Sequence, residues 1–268
     1  MANIEAQIEI QHVHKIFKGA EQQDVIALKD IDFTIPRGQF LCLLGPSGCG
    51  KSTLLNAIAG FSLPSEGNIL VEGQSVEMPG PDRGMVFQEY ALFPWMTVEE
   101  NITFGLRIKK TDSKKIETVL EDLLKKLKLT EFRDRFPKDL SGGMRQRVAI
   151  ARVLALDSPI MLMDEPFGAL DALTRRSLQD ELLKLWQETK KTIVFVTHSM
   201  EEAIYLADRI VVMSYRPGTV KKDIMVEIPR PRNPSDVAFN SLKRDLSELV
   251  MAEQNRSQAA QLSGTTGD

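Results

Sequence analysis

The sequence predicts an α/β fold built on a mostly parallel sheet, on three observations. Short apolar runs alternate with helical patterns along most of the chain, an order that produces parallel strands covered by helices on both faces. One run, QFLCLL at Gln39–Leu44, is continuously apolar, as strands buried on both sides are, and it leads directly into GPSGCGKST at Gly45–Thr53. A second buried-looking run, Ile160–Met163, ends on Asp164 and Glu165.

The elements follow in order. Ile8–Val13 and Ile31–Ile35 read as strands, and a helix is expected from Lys51 to Gly60, with Gly60 closing it. Met85–Gln88 is a short strand candidate. Thr97 followed by Glu100 forms a capping-box pattern that starts a short helix. From Ser113, apolar residues recur at Ile116, Val119, Leu120, Leu123, Leu124 and Leu127, the spacing of an amphipathic helix. The lysines at 109–110, 114–115 and 125–128 fall on its solvated face and around it. A third helix starts after Ser141, so residues from about 90 to 155 form a helical insert. Strands return at Ile160–Met163, Thr192–Thr197 and Ile210–Met213. A helix runs through Leu178, Leu182, Leu185 and Trp186, and Ser199 with Glu202 is a further capping box. The tail after about Met251, rich in Gln, Ser, Gly and Thr, is expected to be disordered.

Bulk properties narrow the function. The chain has 268 residues, 43% apolar and 26% charged, the balance of an ordinary globular protein of one large domain or two small ones. A net charge of -3 argues against nucleic acid as the main partner. The start, MANIEAQIEI, carries Glu5 and Glu9 and no apolar core, so no signal peptide is expected. No apolar stretch approaches the roughly 18 residues that span a bilayer. Cys42 and Cys49 fit a reducing compartment better than a disulfide. His12 and His14 lie two apart on a strand, but no third ligand accompanies them, and a metal site there is not expected.

GPSGCGKST fits G-x-x-x-x-G-K-[ST], with an apolar strand before it and a helix after it. Gly45, Gly48 and Gly50 let backbone N–H groups approach phosphate oxygens, and the helix start adds partial positive charge. Pro46, Ser47, Cys49 and Thr53 complete the cradle. Lys51 supplies a point charge for the outer phosphates, and Ser52 a hydroxyl for Mg²⁺. A glycine-rich turn with a chance lysine is the competing reading. Asp164 would hold Mg²⁺, and Glu165 would accept a proton from an attacking water. His198, in FVTHS, would orient that water or contact the γ-phosphate; a structural histidine at a strand end is the alternative.

A second glycine loop raises a question. LSGGMRQRVAIAR, Leu140 to Arg152, also has the build of a phosphate-binding helix start. With GPSGCGKST before it and LMDEP after it, it resembles the signature of the ATP-binding-cassette (ABC) ATPases over residues 1 to about 235. That resemblance implies a P-loop NTPase fold, a RecA-like mostly parallel sheet with an N-terminal antiparallel β subdomain and a helical insert. It implies an ABC ATPase domain at 1–235 and a short C-terminal extension at 236–268. Two cassettes pair head to tail in that family, so Ser141, Gly142 and Gly143 would clasp the ATP of a second copy. Gln88 resembles the Q-loop glutamine that senses Mg²⁺, Phe17 the aromatic platform under adenine, Asp171 the D-loop aspartate that reaches across the dimer, and His198 the switch histidine. Plain core packing is the alternative for Phe17. An acidic residue often precedes this signature; here it is Asp139.

PGPDRGMVFQEYALFPWMTVEENI, EPFGALDALTR and RPG…IPRPRNPSD resemble the nitrate/sulfonate/taurine import group. The implied role is the ATP-hydrolysing subunit of a bacterial importer, using ATP and Mg²⁺ and lying peripherally on the cytoplasmic face of the inner membrane. The implied partners are a second cassette, permease subunits touching Phe93–Met96, and, indirectly, a substrate-binding protein; packing inside the helical insert is the alternative for Phe93–Met96. An exporter or lipid-transport ATPase is the nearest alternative. DNA-acting relatives carry long coiled coils between the two glycine loops, and here that interval is too short. Ribosome-associated relatives carry two sets of motifs, and a GTPase reading lacks an N-K-x-D guanine motif.

Overall fold

A computed structural model describes residues 6–19 and 24–264. The first elements are β1 (Ala6–Phe17), β2 (Val25–Pro36), β3 (Phe40–Leu44), α1 (Lys51–Ala59), β4 (Glu66–Val71) and β5 (Gln74–Ser75). The middle holds β6 (Arg83–Val86), α2 (Val98–Ile108), α3 (Ser113–Lys126), α4 (Gly142–Ala155), β7 (Ile160–Asp164) and α5 (Ala172–Thr189). The last part holds β8 (Thr192–Thr197), α6 (Met200–Leu206), β9 (Arg209–Met213), β10 (Val220–Met225) and α7 (Val237–Gly264). The chain divides into two compact units: one takes the chain up to Pro79 and again from Thr192, the other Gly80–Lys191.

The first unit contains two sets of strands. β2, β1, β4 and β5 pair antiparallel in that order. β3 lies between β8 and β9, parallel to both, and β10 runs antiparallel to β9. Every residue of β3 and of β8 is buried, which is why these runs show no polar alternation in the sequence. Phe40 and Phe195 meet between them with ring centroids 5.9 Å apart. Helix α1 leaves β3 through the glycine loop and closes on Gly60 in the left-handed region, as its sequence predicts.

The second unit holds the parallel pair β6 and β7 and the helices α2 to α5. Thr97 and Glu100 form a complete capping box at the start of α2. Leu120, Leu123 and Leu124 of α3 are buried, and the lysines around them are exposed. Buried Asn101 donates to the carbonyls of Phe93, Met96 and Thr97 and accepts from the Phe93 N–H. It thereby pins a loop that exposes Trp95, 70% of whose surface is free.

Several elements depart from expectation. β1 and β2 are 12 residues each, longer than their apolar cores suggest. β4, β5 and β10 are additional; β10 reads VKKDIM, whose lysines hide the strand pattern and blunt a sheet edge. Ser199 caps α6 by accepting from the Glu202 N–H. The buried Glu202 carboxylate accepts from the Thr197 hydroxyl, and Thr197 in turn takes the Ser199 N–H. The tail after Met251 continues as helix to Gly264, against the expectation of disorder. Its Met, Ala, Glu, Gln and Arg are good helix formers, and α7 is anchored by buried Phe239, Leu246, Val250 and Glu253. Residues 265–268 of that tail, and residues 1–5 of the charged N-terminal stretch, lie outside the described residues.

Candidate nucleotide site

In the first unit the loop Gly45–Gly50 turns from the end of β3 into α1. Gly50 is the N-cap at φ +94°, a left-handed conformation that glycine takes without strain, and it caps with no side chain. The first turn of α1 carries no acidic residue. Its outward N–H groups and the helix dipole therefore present an unopposed anion site. Lys51 is 4% exposed, and its ammonium donates to the carbonyls of Gly45 at 2.9 Å and Pro46 at 3.0 Å. Ser47 and Gly48 are exposed at the loop tip, and Ser52 and Thr53 are half-buried. Burial pushes the Cys49 thiol above its ordinary range, partly offset by Lys51 beside it, so this loop cysteine is a neutral packing group.

His198 follows β8 and is exposed, while Thr197 and Glu202 fix the turn that presents it. Phe17, at the end of β1, is 44% exposed, so core packing does not explain it. Lys15 lies 5.3 Å from its ring centroid.

The second unit carries the remaining residues. Asp164 is the last residue of β7 and is half-buried. Glu165 next to it sits at φ +40°, a strained conformation for a side chain of this kind and a frequent mark of functional turns. Ser141 is the exposed N-cap of α4, and its Oγ accepts from the Met144 N–H at 3.3 Å. The hydroxyl proton is still available to an acceptor outside the helix. The first turn of α4 also lacks acids, which leaves the Gly142 and Gly143 amides in a positive field. Asp171 is the exposed N-cap of α5, and the Thr174 and Leu173 amides hold its carboxyl below the usual range.

Gln88 follows β6 and is exposed. The chain after it turns through Tyr90 and Ala91, both at positive φ. Arg152 of α4 donates to the carbonyls of Ala91 at 2.7 Å and Tyr90 at 3.4 Å, and Arg145 lies 5.5 Å from the Tyr90 ring. These contacts tie the Gln88 segment to the helix that starts at Ser141–Gly143. Sequence reading missed them: Arg152 at a helix end looks like an ordinary dipole partner, and nothing local marks a bond to residue 91.

The comparisons with known proteins follow from this geometry. The family model described as "ABC transporter" matches residues 28–168. The taurine import ATP-binding protein TauB of Pelagibacter ubique is 51% identical over 213 residues, 80% of each chain. The nitrate import ATP-binding protein NrtD of Synechocystis is 46% identical over 222 residues, 83% of each chain. An aliphatic sulfonates import ATP-binding protein, SsuB of Bacillus cereus, is 44% identical over 237 residues, 88% of this chain and 93% of that one. Among solved structures, the ATP-binding cassette MJ0796, described as a dimeric post-hydrolysis state bound to ADP and Pi, superposes with a TM-score of 0.73 at 33% identity. It covers 83% of this chain and 100% of that one. A P-loop strand and helix, a serine-capped glycine pair opening α4, and relatives of near-half identity over most of the chain converge on one assignment: this chain belongs to the ABC transporter family and is an ATPase of the ATP-binding-cassette kind.

Proposed function

We propose that the chain is the ATP-hydrolysing subunit of a bacterial ABC importer that energises uptake of a small anion such as nitrate, a sulfonate or taurine. The observation that carries this reading is its near-half identity to importer ATP-binding proteins for all three cargoes. The ABC ATPase domain is assigned to 1–235 and the C-terminal extension to 236–268.

Two copies pair head to tail and bind two ATP molecules. Each ATP is served by Phe17, Gly45–Thr53, Gln88, Asp164, Glu165 and His198 of one copy, and by Ser141, Gly142 and Gly143 of the other. Asp171 reaches across the dimer. The exposed Ser141 and the unopposed start of α4 support this reading, since they offer a phosphate-binding end that the chain's own loop does not require. Ser52, Gln88 and Asp164 are hard oxygen donors, few in number, which suits Mg²⁺ and its retained waters. Bound there, Mg²⁺ would neutralise charge on the phosphates. Glu165 takes the proton of the attacking water, His198 orients that water, and Lys51 and the loop amides hold the phosphates. ATP closes the pair and hydrolysis releases it.

No helix among the described residues is long and apolar enough to cross a membrane, so transport needs separate permease subunits. The exposed Trp95, on a loop pinned by Asn101 and with its ring tilted against Phe93 at a centroid distance of 5.8 Å, is the contact assigned to them. The assembly then lies on the cytoplasmic face of the inner membrane, and a substrate-binding protein delivers cargo from the other side. Reconstitution with the cognate permease and binding protein tests this reading. Nitrate, an alkanesulfonate or taurine is expected to stimulate ATP turnover. Stimulation by a lipid or an exported amphiphile, and by none of the three anions, would replace the importer with the export reading.

A further inference from the structure

The end of β9 and the loop after it, Ser214–Thr219, lie against the phosphate loop at three points, the first from Met213 of the strand. The Met213 carbonyl oxygen is 3.0 Å from where a Cβ on Gly45 would stand. Arg216 Nη2 and the Tyr215 ring lie 3.8 and 3.9 Å from the corresponding point on Gly48. Gly218 is so close to the phosphate loop that a Cβ on it would stand 2.3 Å from the Cys49 carbonyl. The loop is clasped internally by the Ser214 hydroxyl, which donates to the Pro217 carbonyl and accepts from the Thr219 N–H. It is tied to β2 through Gly218, whose N–H donates to Ala27 at 3.0 Å and whose carbonyl accepts from Lys29 at 2.9 Å.

A side-chain bond from α7 also reaches this loop. Glu253 of α7 has a fully buried side chain, and its carboxylate accepts from the Tyr215 N–H at 3.0 Å. Its other oxygen pairs with Lys221 at 3.1 Å and Arg256 at 3.3 Å. A buried carboxylate is costly unless its lone pairs are met, and here three donors meet them. The tail of the chain thus places a buried carboxylate where one of its oxygens holds the Tyr215 amide, next to Arg216, and the other pairs with two cations. A helix present only to cover apolar surface would place an apolar residue there.

We propose that Glu253 is a positioning residue for the phosphate loop: through the Tyr215 amide, α7 holds Tyr215–Gly218 against Gly45–Cys49 and so sets the affinity of the loop for ATP. The inference rests on the assignment of Gly45–Thr53 as the ATP loop. Removing the carboxylate leaves the Tyr215 amide without its acceptor and loosens Tyr215 and Arg216 against Gly48, while the bonds of Gly218 to β2 remain. Loss of such a bond to a charged acceptor is expected to weaken ATP binding about 5- to 10-fold. The catalytic residues are untouched, so turnover at saturating ATP stays within about 2-fold, the signature of a binding effect.

The full chain is titrated with ATP and Mg²⁺ by calorimetry, well below its unfolding temperature, as wild type, Glu253→Ala, Glu253→Gln, Leu246→Ala and Lys51→Ala. Alkylation of Cys49, read by peptide mass spectrometry, reports opening of the phosphate loop directly. Glu253→Ala is expected to bind ATP about 5- to 10-fold more weakly and to label faster at Cys49. Glu253→Gln keeps an acceptor for the Tyr215 amide and should restore binding to within about 2-fold of wild type. Leu246, another buried residue of α7, controls for general loosening of the helix; its truncation should lower thermal stability and leave ATP affinity unchanged. The proposal is overturned if Glu253→Ala binds ATP like wild type while Lys51→Ala does not, or if Leu246→Ala weakens ATP as much as Glu253→Ala does. Undiminished binding by Lys51→Ala would instead sink the ATP-loop assignment.

Discussion

Gly143 separates packing from catalysis, because two different constraints meet at its missing side chain. A Cβ placed on it would stand 2.4 Å from Thr174 Cγ2, inside its own unit. The proposed function makes the same position face the triphosphate held by a second copy. Gly143→Ala therefore carries a packing cost and, on that reading, a catalytic one. Overpacking of this size costs about 1–3 kcal/mol. Replacing glycine by alanine in a helix returns up to about 1 kcal/mol, and less in the first turn. The net is a destabilisation of about 0–3 kcal/mol, or a lowering of Tm by up to about 10 °C.

The clash has a specific remedy. Thr174→Ser deletes Cγ2, keeps the hydroxyl, and leaves the Thr174 amide free to cap on Asp171 as before. The double variant Gly143→Ala/Thr174→Ser should regain wild-type Tm. Its ATPase rate should stay depressed on the order of 10²-fold: the N–H of residue 143 is retained, but any residual shift of the start of α4 misplaces it against a reacting phosphate, and a misplacement of about 1 Å costs that much. Thermal melts and steady-state ATP turnover on the single, partner and double variants form the cycle. Recovery of turnover together with Tm would show that Gly143 is needed only for its fit against α5, and the two-copy site would fall with it.

Other expectations follow from the same geometry. Glu165→Gln should slow hydrolysis about 10²-fold or more and retain an ATP-bound dimer on size-exclusion chromatography, and near-normal turnover would remove Glu165 as the base. Trp95→Ala should leave basal turnover of the isolated chain unchanged and weaken co-purification with the permease; intact, coupled complexes would place the docking surface elsewhere. His12, exposed at a β1 bend, titrates above its ordinary value because Asp30 accepts its hydrogen bond at 2.8 Å and Asp32 adds a second negative charge. Its folded value is raised, so the pair contributes fully below the unfolded imidazole value near about 6.5 and fades as pH rises through the folded one. An NMR titration should show that shift and its reduction in Asp30→Asn; an identical imidazole titration in the variant would refute the pairing.

What was legible in the sequence was chemistry carried by neighbours in the chain. The glycine spacing of Gly45–Ser52, the Thr97–Glu100 box and the Ser141 cap are each set within a few residues, and each stands where its pattern puts it. Strands were legible where burial is uniform, as in β3 and β8, and illegible where function on the edge demands charge, as in β10. The Ser199–Glu202 pattern is joined by a neighbour that the pattern does not include: the Thr197 hydroxyl, at the end of β8, donates to the Glu202 carboxylate and accepts from the Ser199 N–H. Bonds between distant residues left no trace at all. Arg152 to Ala91 spans 61 positions and Glu253 to Tyr215 spans 38, and no periodicity or composition encodes either. The RPG stretch was visible as a family resemblance, yet its place beside Gly48 and Cys49 depends wholly on how β9 lies next to β3.

The resting arrangement of Lys51 bears on how the site gains affinity. Its ammonium is desolvated but satisfied, since two carbonyls of its own loop accept from it. An incoming phosphate oxygen would exchange a neutral acceptor for a charged one, adding ion-pair attraction to bonds that are already charge-assisted. The lysine is already ordered, so binding avoids most of the cost of about 0.5–1.5 kcal/mol for immobilising a long side chain. The same carbonyls hold Gly45 and Pro46 close to Lys51, which keeps the loop curved around the space that the proposed function gives to the phosphates. A preformed cradle of this kind draws little affinity from folding on the ligand. Its strength is then set by whatever holds the loop from outside, and in this chain that outer support is the Met213–Gly218 segment with Glu253 behind it.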